Sequence, residues 1–358
     1  MRAAILREYG EPLAVRDVPA PEPGPAEAVI RVEACGVCRS DWHAWMGHGE
    51  WADDRVPRGQ VLGHEPAGEV VAVGRSVDRF APGDRVVVPF SLGDATCPYC
   101  RRGAGNVCAD GRALGFEPDA PGAFAERVAV PNADYNLVER PPWLDATAAA
   151  ALGCRYMTAY HALAERAGLG GGDRLAVHGC GGVGLSAVQL GDALGARVVA
   201  VDVDDDALSL ARDLGADALV NPTELGDATD VPERVRALTD GGADVSVDAL
   251  GIAETCRNSV RSVRPRGTHV QVGLTTEAER GEVSLPTDWM TRWEVSFLGS
   301  RGMPPTSYGD LFALVEATDV DPGALVSDEI GLSAVSGRLA ALGEYEVHGV
   351  EVVTEFEG

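Results

Sequence analysis

The stretch AVHGCGGVGLSAV, residues 176–188, decides the fold. Gly179, Gly181 and Gly184 follow an apolar run and open a segment of helical periodicity. Gly182 and Val183 fill the places between the second and third. This G-x-G-x-x-G spacing allows a tight strand-to-helix turn and close approach of a pyrophosphate to the backbone. The helix N-terminus then supplies N–H groups and the positive end of its dipole. A lone fingerprint is weak, but here Asp202 closes the next apolar run, RVVAVDV, 23 residues after Gly179. A carboxylate at that place accepts hydrogen bonds from the adenosine ribose hydroxyls. Asp204, Asp205 and Asp206 follow it with no basic residue nearby. Such a cluster repels a ribose 2′-phosphate and points to NAD rather than NADP.

Working outward, the runs DRLAVHG, RVVAVDV, DALVN, ADVSVDAL and GTHVQVG alternate with amphipathic helical segments. That alternation implies an α/β fold with a doubly wound parallel sheet. Residues 1 to about 150 have another texture: short runs such as AVIRVEA, AGEVVAVG and DRVVVPF, separated by the turn signals PGPAE, APGD and DAPG. They read as a β-rich, irregular domain. DATAAAALGCRYMTAYHALAERAGL reads as one long helix with Asp145 as N-cap. After about 295 the texture is mixed, with helices near 307–317 and 333–342 and a closing strand GVEVVTE that is expected to return to the first domain.

The 358 residues suit two domains, and no apolar run approaches the ~18 residues of a membrane span. The N-terminal MRAAILREYG lacks the apolar core of a signal peptide, so a cytoplasmic protein is expected. There are 55 acidic residues against 30 basic ones, all arginine, for a net charge of −25. Such a surface excludes nucleic acid and anionic membranes as partners. Arginine preference alone fits a GC-rich genome, whereas the size of the charge favours a halophilic, high-salt cytoplasm. In a large chain without a signal sequence, the eight cysteines point to metal rather than to disulfides.

Three fragments carry metal-ligating residue types: ACGVCRSDWH (34–43), GHEPAGEVVAVG (63–74) and the helix bearing Cys154. A fourth, SLGDATCPYCRRGAGNVC (91–108), holds Cys97, Cys100 and Cys108. Taken together and in this order, the C-x2-C with trailing S-D-x-H, the GHE-x2-G, the cysteine lobe and the late G-x-G-x-x-G resemble the zinc-dependent medium-chain alcohol dehydrogenases. The resemblance spans essentially the whole chain. It implies a GroES-like catalytic domain at 1–154, with 296–358 packing back on it, and a Rossmann domain at 155–295.

Residue by residue, the resemblance implies that Cys38, His64 and Cys154 hold a catalytic zinc. Glu65 would be the nearby carboxylate, and Asp41 the partner that orients the histidine. Ser40 and His43 would relay the proton, Arg39 would meet the cofactor pyrophosphate, and Val183 and Val272 would pack near the nicotinamide. Trp45, Trp51 and Phe90 would line the substrate pocket, and Cys35 would be structural. The family's structural zinc lobe reads C-x2-C-x2-C-x7-C, and here Asp94 stands at its first position, ahead of Cys97, Cys100 and Cys108. A carboxylate oxygen is a legitimate zinc ligand, so a second zinc held by one aspartate and three cysteines is expected. The implied reaction is oxidation of a small or medium alcohol to an aldehyde or ketone with hydride transfer to NAD, by a homo-oligomer. A polyol dehydrogenase and a zinc-free quinone or enoyl reductase are the alternatives on the same fold. The three catalytic-zinc residues argue against the reductase.

Overall fold

In the computed structural model of the protein, the described residues are 1–48, 56–226, 230–276, 278–318, 320–344 and 346–357. The chain forms two compact units. The first gathers Met1–Met157, Gly302–Ala313 and Asp321–Gly358; the second gathers Thr158–Arg301 and Leu314–Val320.

The second unit is built on six parallel strands in the order Ala218–Val220, Arg197–Val201, Arg174–His178, Ala243–Asp248, Val263–Gln271 and Ser296–Gly299. Strand order reverses beside Arg174–His178, so the loop after that strand opens at the switch point of the sheet, where such folds bind ligands. Covered on both faces, the central strands bury Leu175, Val177, Val198, Val199, Val245 and Val247. Each such side chain contributes roughly 1.5–3 kcal/mol of apolar burial. The turn from Arg174–His178 into the helix Gly182–Ala193 is so tight that a β-carbon on Gly184 would lie 1.8 Å from the Gly179 carbonyl oxygen. Only glycine fits there.

A boundary at 295 would give Ser296–Gly299 to the returning segment. Instead it pairs in parallel with Val263–Gln271, Thr268 opposite Ser296 through Gln271 opposite Gly299, and forms an edge of the six-stranded parallel sheet. Its backbone groups find partners in that ladder, so the return begins at Gly302.

In the first unit the long strand Ala28–Val37 is central. It pairs antiparallel with Glu65–Val73, Arg127–Val130 and the C-terminal strand Val350–Glu355. The last of these pairs in parallel with Val326–Gly331. Antiparallel register sets Gly36 opposite Glu65, so the end of one strand, leading to Cys38, lies beside the start of the other, leading from His64.

The long helix read around Cys154 is interrupted. Asp145 caps Ala146–Ala151, accepting from the Ala148 N–H at 2.8 Å. Gly153 then leaves helical geometry (φ −56°, ψ −135°), and regular helix resumes at Met157. All eight cysteines are free thiols, and no helix among the described residues is long and apolar enough to cross a membrane.

Candidate functional site

The register just described brings Cys38 and His64 together, and the break at Gly153 adds Cys154. The ligand atoms of Cys38, His64, Glu65 and Cys154 all lie within 4.8 Å of one another. Asp41, on the first turn of the helix Arg39–Met46, is fully buried and organises the group. Its Oδ1 meets His64 Nδ1 at 2.8 Å and accepts the Gly63 N–H at 3.1 Å, while its Oδ2 accepts the Cys38 N–H at 3.1 Å. A carboxylate on Nδ1 fixes the proton there and turns the Nε2 lone pair toward the sulfurs. His64 Nε2 is buried and has no hydrogen-bonding partner.

The two thiols share the burden of one proton. The Cys154 thiol holds Cys38 well below the ordinary thiol value, and Cys154 is pushed up correspondingly by Cys38 and by burial. Two cysteine sulfurs and a buried imidazole nitrogen that no hydrogen bond occupies are a donor set suited to a divalent metal of intermediate softness. The residues therefore fit zinc.

A second convergence lies in the cysteine lobe, where the ligand atoms of Asp94, Cys97, Cys100 and Cys108 lie within 4.8 Å of one another. Asp94 Oδ1 accepts the N–H groups of Thr96 and Cys97 at 2.9 Å each, and its Oδ2 accepts the Thr96 hydroxyl at 2.8 Å. These bonds hold the carboxyl far below the usual carboxylate range. Backbone N–H groups of Asp94 and Cys100 point at the sulfurs of Cys108 and Cys97, each at 3.4 Å. Hydrogen bonds from backbone to sulfur are the outer contacts that steady thiolates around a metal.

On the second unit, Gly179 takes φ +93° and Gly181 precedes the helix, with open space where its β-carbon would stand. Asp202 Oδ2 accepts the Cys180 N–H at 2.6 Å, and its Oδ1 accepts the Asp204 N–H at 3.0 Å. The carboxylate thus sits against the glycine loop. Val183 lies in the first helical turn, and Val272 follows Val263–Gln271, its N–H bonded to the Asp248 carbonyl at 3.1 Å. Both are half-buried.

Comparison with known proteins matches residues 24–142 to the alcohol dehydrogenase GroES-like domain and 182–317 to the zinc-binding dehydrogenases. An NAD-dependent alcohol dehydrogenase of Sulfurisphaera tokodaii is 33% identical over 99% of this chain and 99% of its own length. The chain belongs to the zinc-dependent medium-chain alcohol dehydrogenases. The solved alcohol dehydrogenase from Thermus sp. ATN1 superposes with a TM-score of 0.89 at 31% identity, covering 99% of this chain and 100% of the other. A sorbitol dehydrogenase of Halalkalibacterium halodurans is 31% identical over 93% of each chain. Two cysteines and one histidine are the set by which alcohol dehydrogenases hold catalytic zinc.

Within this alcohol dehydrogenase, Ser40 Oγ lies 3.9 Å from Cys38 Sγ, and His43 stands one turn further along the same helix. The Phe90 ring meets His64 edge-on at 5.7 Å, and Phe116 packs on the same imidazole at 4.8 Å. Trp45 is a core side chain whose indole N–H donates to the Glu11 carbonyl at 2.6 Å. Trp51 lies outside the described residues. Arg39 donates to the Leu342 carbonyl at 2.6 Å and lies over Trp42. Cys35 is buried and is not one of the clustered ligands; its thiol lies 3.7 Å from the Gly36 carbonyl.

Sequence reasoning missed Arg155. Its Nη2 meets Glu65 Oε2 at 2.5 Å, while its Nε and its backbone N–H reach Oε1 at 3.2 and 3.3 Å. Both side chains are buried. Burial pushes Glu65 up to about 7, against the pull of Arg155. The arginine occupies both carboxylate oxygens and so competes with a metal for a residue that sits among the ligands. The available signal was a charged residue in the apolar run ALGCRYM, since a buried arginine requires a partner. Arg155→Met is expected to cost about 3–5 kcal/mol, because it strands a buried carboxylate. Arg155→Met/Glu65→Gln should recover much of the loss, and thermal melts of the two variants measure both.

Proposed function

We propose that the protein is a zinc-dependent, NAD-linked alcohol dehydrogenase that interconverts small or medium primary or secondary alcohols with aldehydes or ketones. The observation that carries the reading is the orphaned Nε2 of His64, turned by Asp41 toward two cysteine sulfurs. Zinc bound by Cys38, His64 and Cys154 would supply a Lewis acid that makes an alcohol proton easier to remove. NAD would be the hydride acceptor.

The chain's own residues do the rest. Asp41 keeps His64 in the tautomer that offers Nε2, and holds the Cys38 and His64 loops at fixed separation. Ser40 and His43 carry the substrate proton away from the site. Arg155 holds Glu65 back, leaving room for the alcohol oxygen beside the three ligands. Phe90 supplies apolar wall next to His64. On the other unit, the N–H groups at the start of Gly182–Ala193 take the pyrophosphate. Asp202 takes the ribose, and Val183 and Val272 pack against the nicotinamide. A polyol dehydrogenase is the second reading, supported by the likeness to the sorbitol enzyme.

A panel of ethanol, benzyl alcohol and sorbitol with each cofactor tests the assignment. The simple alcohols should give the higher kcat/KM, and NAD should be preferred to NADP. Asp202→Gly should narrow the cofactor preference by removing repulsion of the 2′-phosphate. Preference for sorbitol selects the second reading, and preference for NADP removes Asp202 as the selector.

Metal analysis addresses both sites. Purified protein should carry two zinc ions per subunit, one of them held by Asp94, Cys97, Cys100 and Cys108. Asp94→Ala should lose about one zinc and melt at lower temperature, since structural zinc contributes folding free energy directly. Cys38→Ser should abolish turnover while NAD affinity, measured by fluorescence titration, persists. One zinc in fully active wild type would leave the lobe without a metal role.

The acidic surface is read as a high-salt adaptation. At a net charge of −25, self-repulsion weakens as the Debye length falls from about 30 Å at 0.01 M to about 3 Å at 1 M salt. The melting temperature should therefore rise steeply with KCl over that range, and a flat profile would leave arginine codon preference as the explanation of the composition.

A further inference from the structure

We infer that His48 carries the substrate proton one ring beyond His43, toward solvent. The inference rests on the reading of Ser40 and His43 as the relay.

His43 Nδ1 and His48 Nδ1 face each other at 3.1 Å. Two ring nitrogens hold that separation only when one donates and the other accepts, so the two imidazoles must be in complementary tautomers. The local chain builds the contact. The helix Arg39–Met46 ends at Gly47 in left-handed geometry (φ +72°), where the Gly47 N–H bonds to the Ala44 carbonyl at 3.1 Å. The His48 N–H bonds back to the His43 carbonyl at 2.9 Å, which returns residue 48 over residue 43. A β-carbon on Gly47 would come within 2.7 Å of the Tyr9 ring, so glycine is required on both counts. Trp42 meets both imidazoles edge-on, at 4.7 and 5.1 Å, and is itself held under Arg39 at 4.5 Å. The pair is therefore fixed rather than incidental.

Its chemistry follows from the charges around it. Burial, then Arg39 and His48, push His43 down to about 4, while Cys38 pulls weakly the other way. His43 is thus neutral near pH 7 and does not store a proton. With hydrogen on Nδ1 it can pass one. A proton bonds to His43 Nε2 as the Nδ1 hydrogen leaves for His48 Nδ1, and His48 releases its own Nε2 hydrogen to water. Two N–H bonds form and two break; one proton enters, one leaves, and neither ring retains charge. Both tautomers end reversed, which is the starting arrangement for proton uptake in the reductive direction. Both histidines are half-buried.

The test uses the zinc-loaded enzyme with NAD. His48→Ala, His48→Gln and His43→Ala are compared for alcohol oxidation at rising concentrations of a non-coordinating buffer. His48→Ala should lower kcat by about tenfold or less, below the ~10²–10⁴-fold typical of losing a general base outright. Alcohol KM and NAD Kd should stay within about twofold, and rising buffer should restore the rate. If His48→Ala also lowers Tm, His48→Gln decides, because its amide still bonds to His43 but cannot hand on a proton. Normal kcat in that variant, or a loss that buffer does not rescue, overturns the inference. Loss in His43→Ala alone leaves the relay reading standing and sends the proton to water from His43. No loss in either position removes the relay reading itself.

Discussion

One buried carboxylate joins the two loops that carry Cys38 and His64. Asp41 takes the Cys38 N–H on one oxygen, and the Gly63 N–H and His64 ring on the other. Burying a charge costs several kcal/mol unless its hydrogen-bonding capacity is used, and here three donors use it. The same three bonds fix a backbone separation and a ring tautomer. The carboxylate could not be replaced by an apolar group of the same size without freeing both loops at once.

The site is otherwise a set of charges arranged so that each is answered inside the fold. Arg155 answers Glu65, and a cation would answer the Cys38 thiolate and the His64 lone pair. The lobe solves the same problem nearer the surface. There Asp94 is stabilised by N–H groups and a threonine hydroxyl of its own loop, and its carboxylate lies beside three cysteine sulfurs. Oxygen is a harder donor than sulfur, which tilts such a site toward faster exchange of a soft metal.

Much of this was legible in the residues. The glycine spacing located the strand-to-helix turn because that turn tolerates nothing larger at Gly184, and Asp202 lies against it. The apolar runs found the strands of the parallel sheet because both faces are buried, and the late helices near 307–317 and 333–342 are present as Tyr308–Ala317 and Val335–Gly343. What was not legible depended on tertiary contact. The break at Gly153 was hidden in an alanine-rich run of high helix propensity, a weak prior that packing overrides. Ser296–Gly299 is too short to declare its sheet before its partner is known. The Glu65–Arg155 pair joins residues 90 apart, and the His43–His48 contact depends on one left-handed glycine.

The order in which the chain leaves the ribosome bears on the first unit. The strand Ala28–Val37 needs Val350–Glu355 along one edge, and at about 5–20 residues per second that partner follows roughly 15–60 s later. The parallel sheet, complete at Gly299, is synthesised in the interval. Cys38, Cys97, Cys100 and Cys108 therefore spend that time on a nascent unit whose sheet is unfinished. Early capture of a metal by the short lobe, whose four donors lie within fifteen residues of one another, would shield three of those thiols from oxidation before the rest of the unit closes.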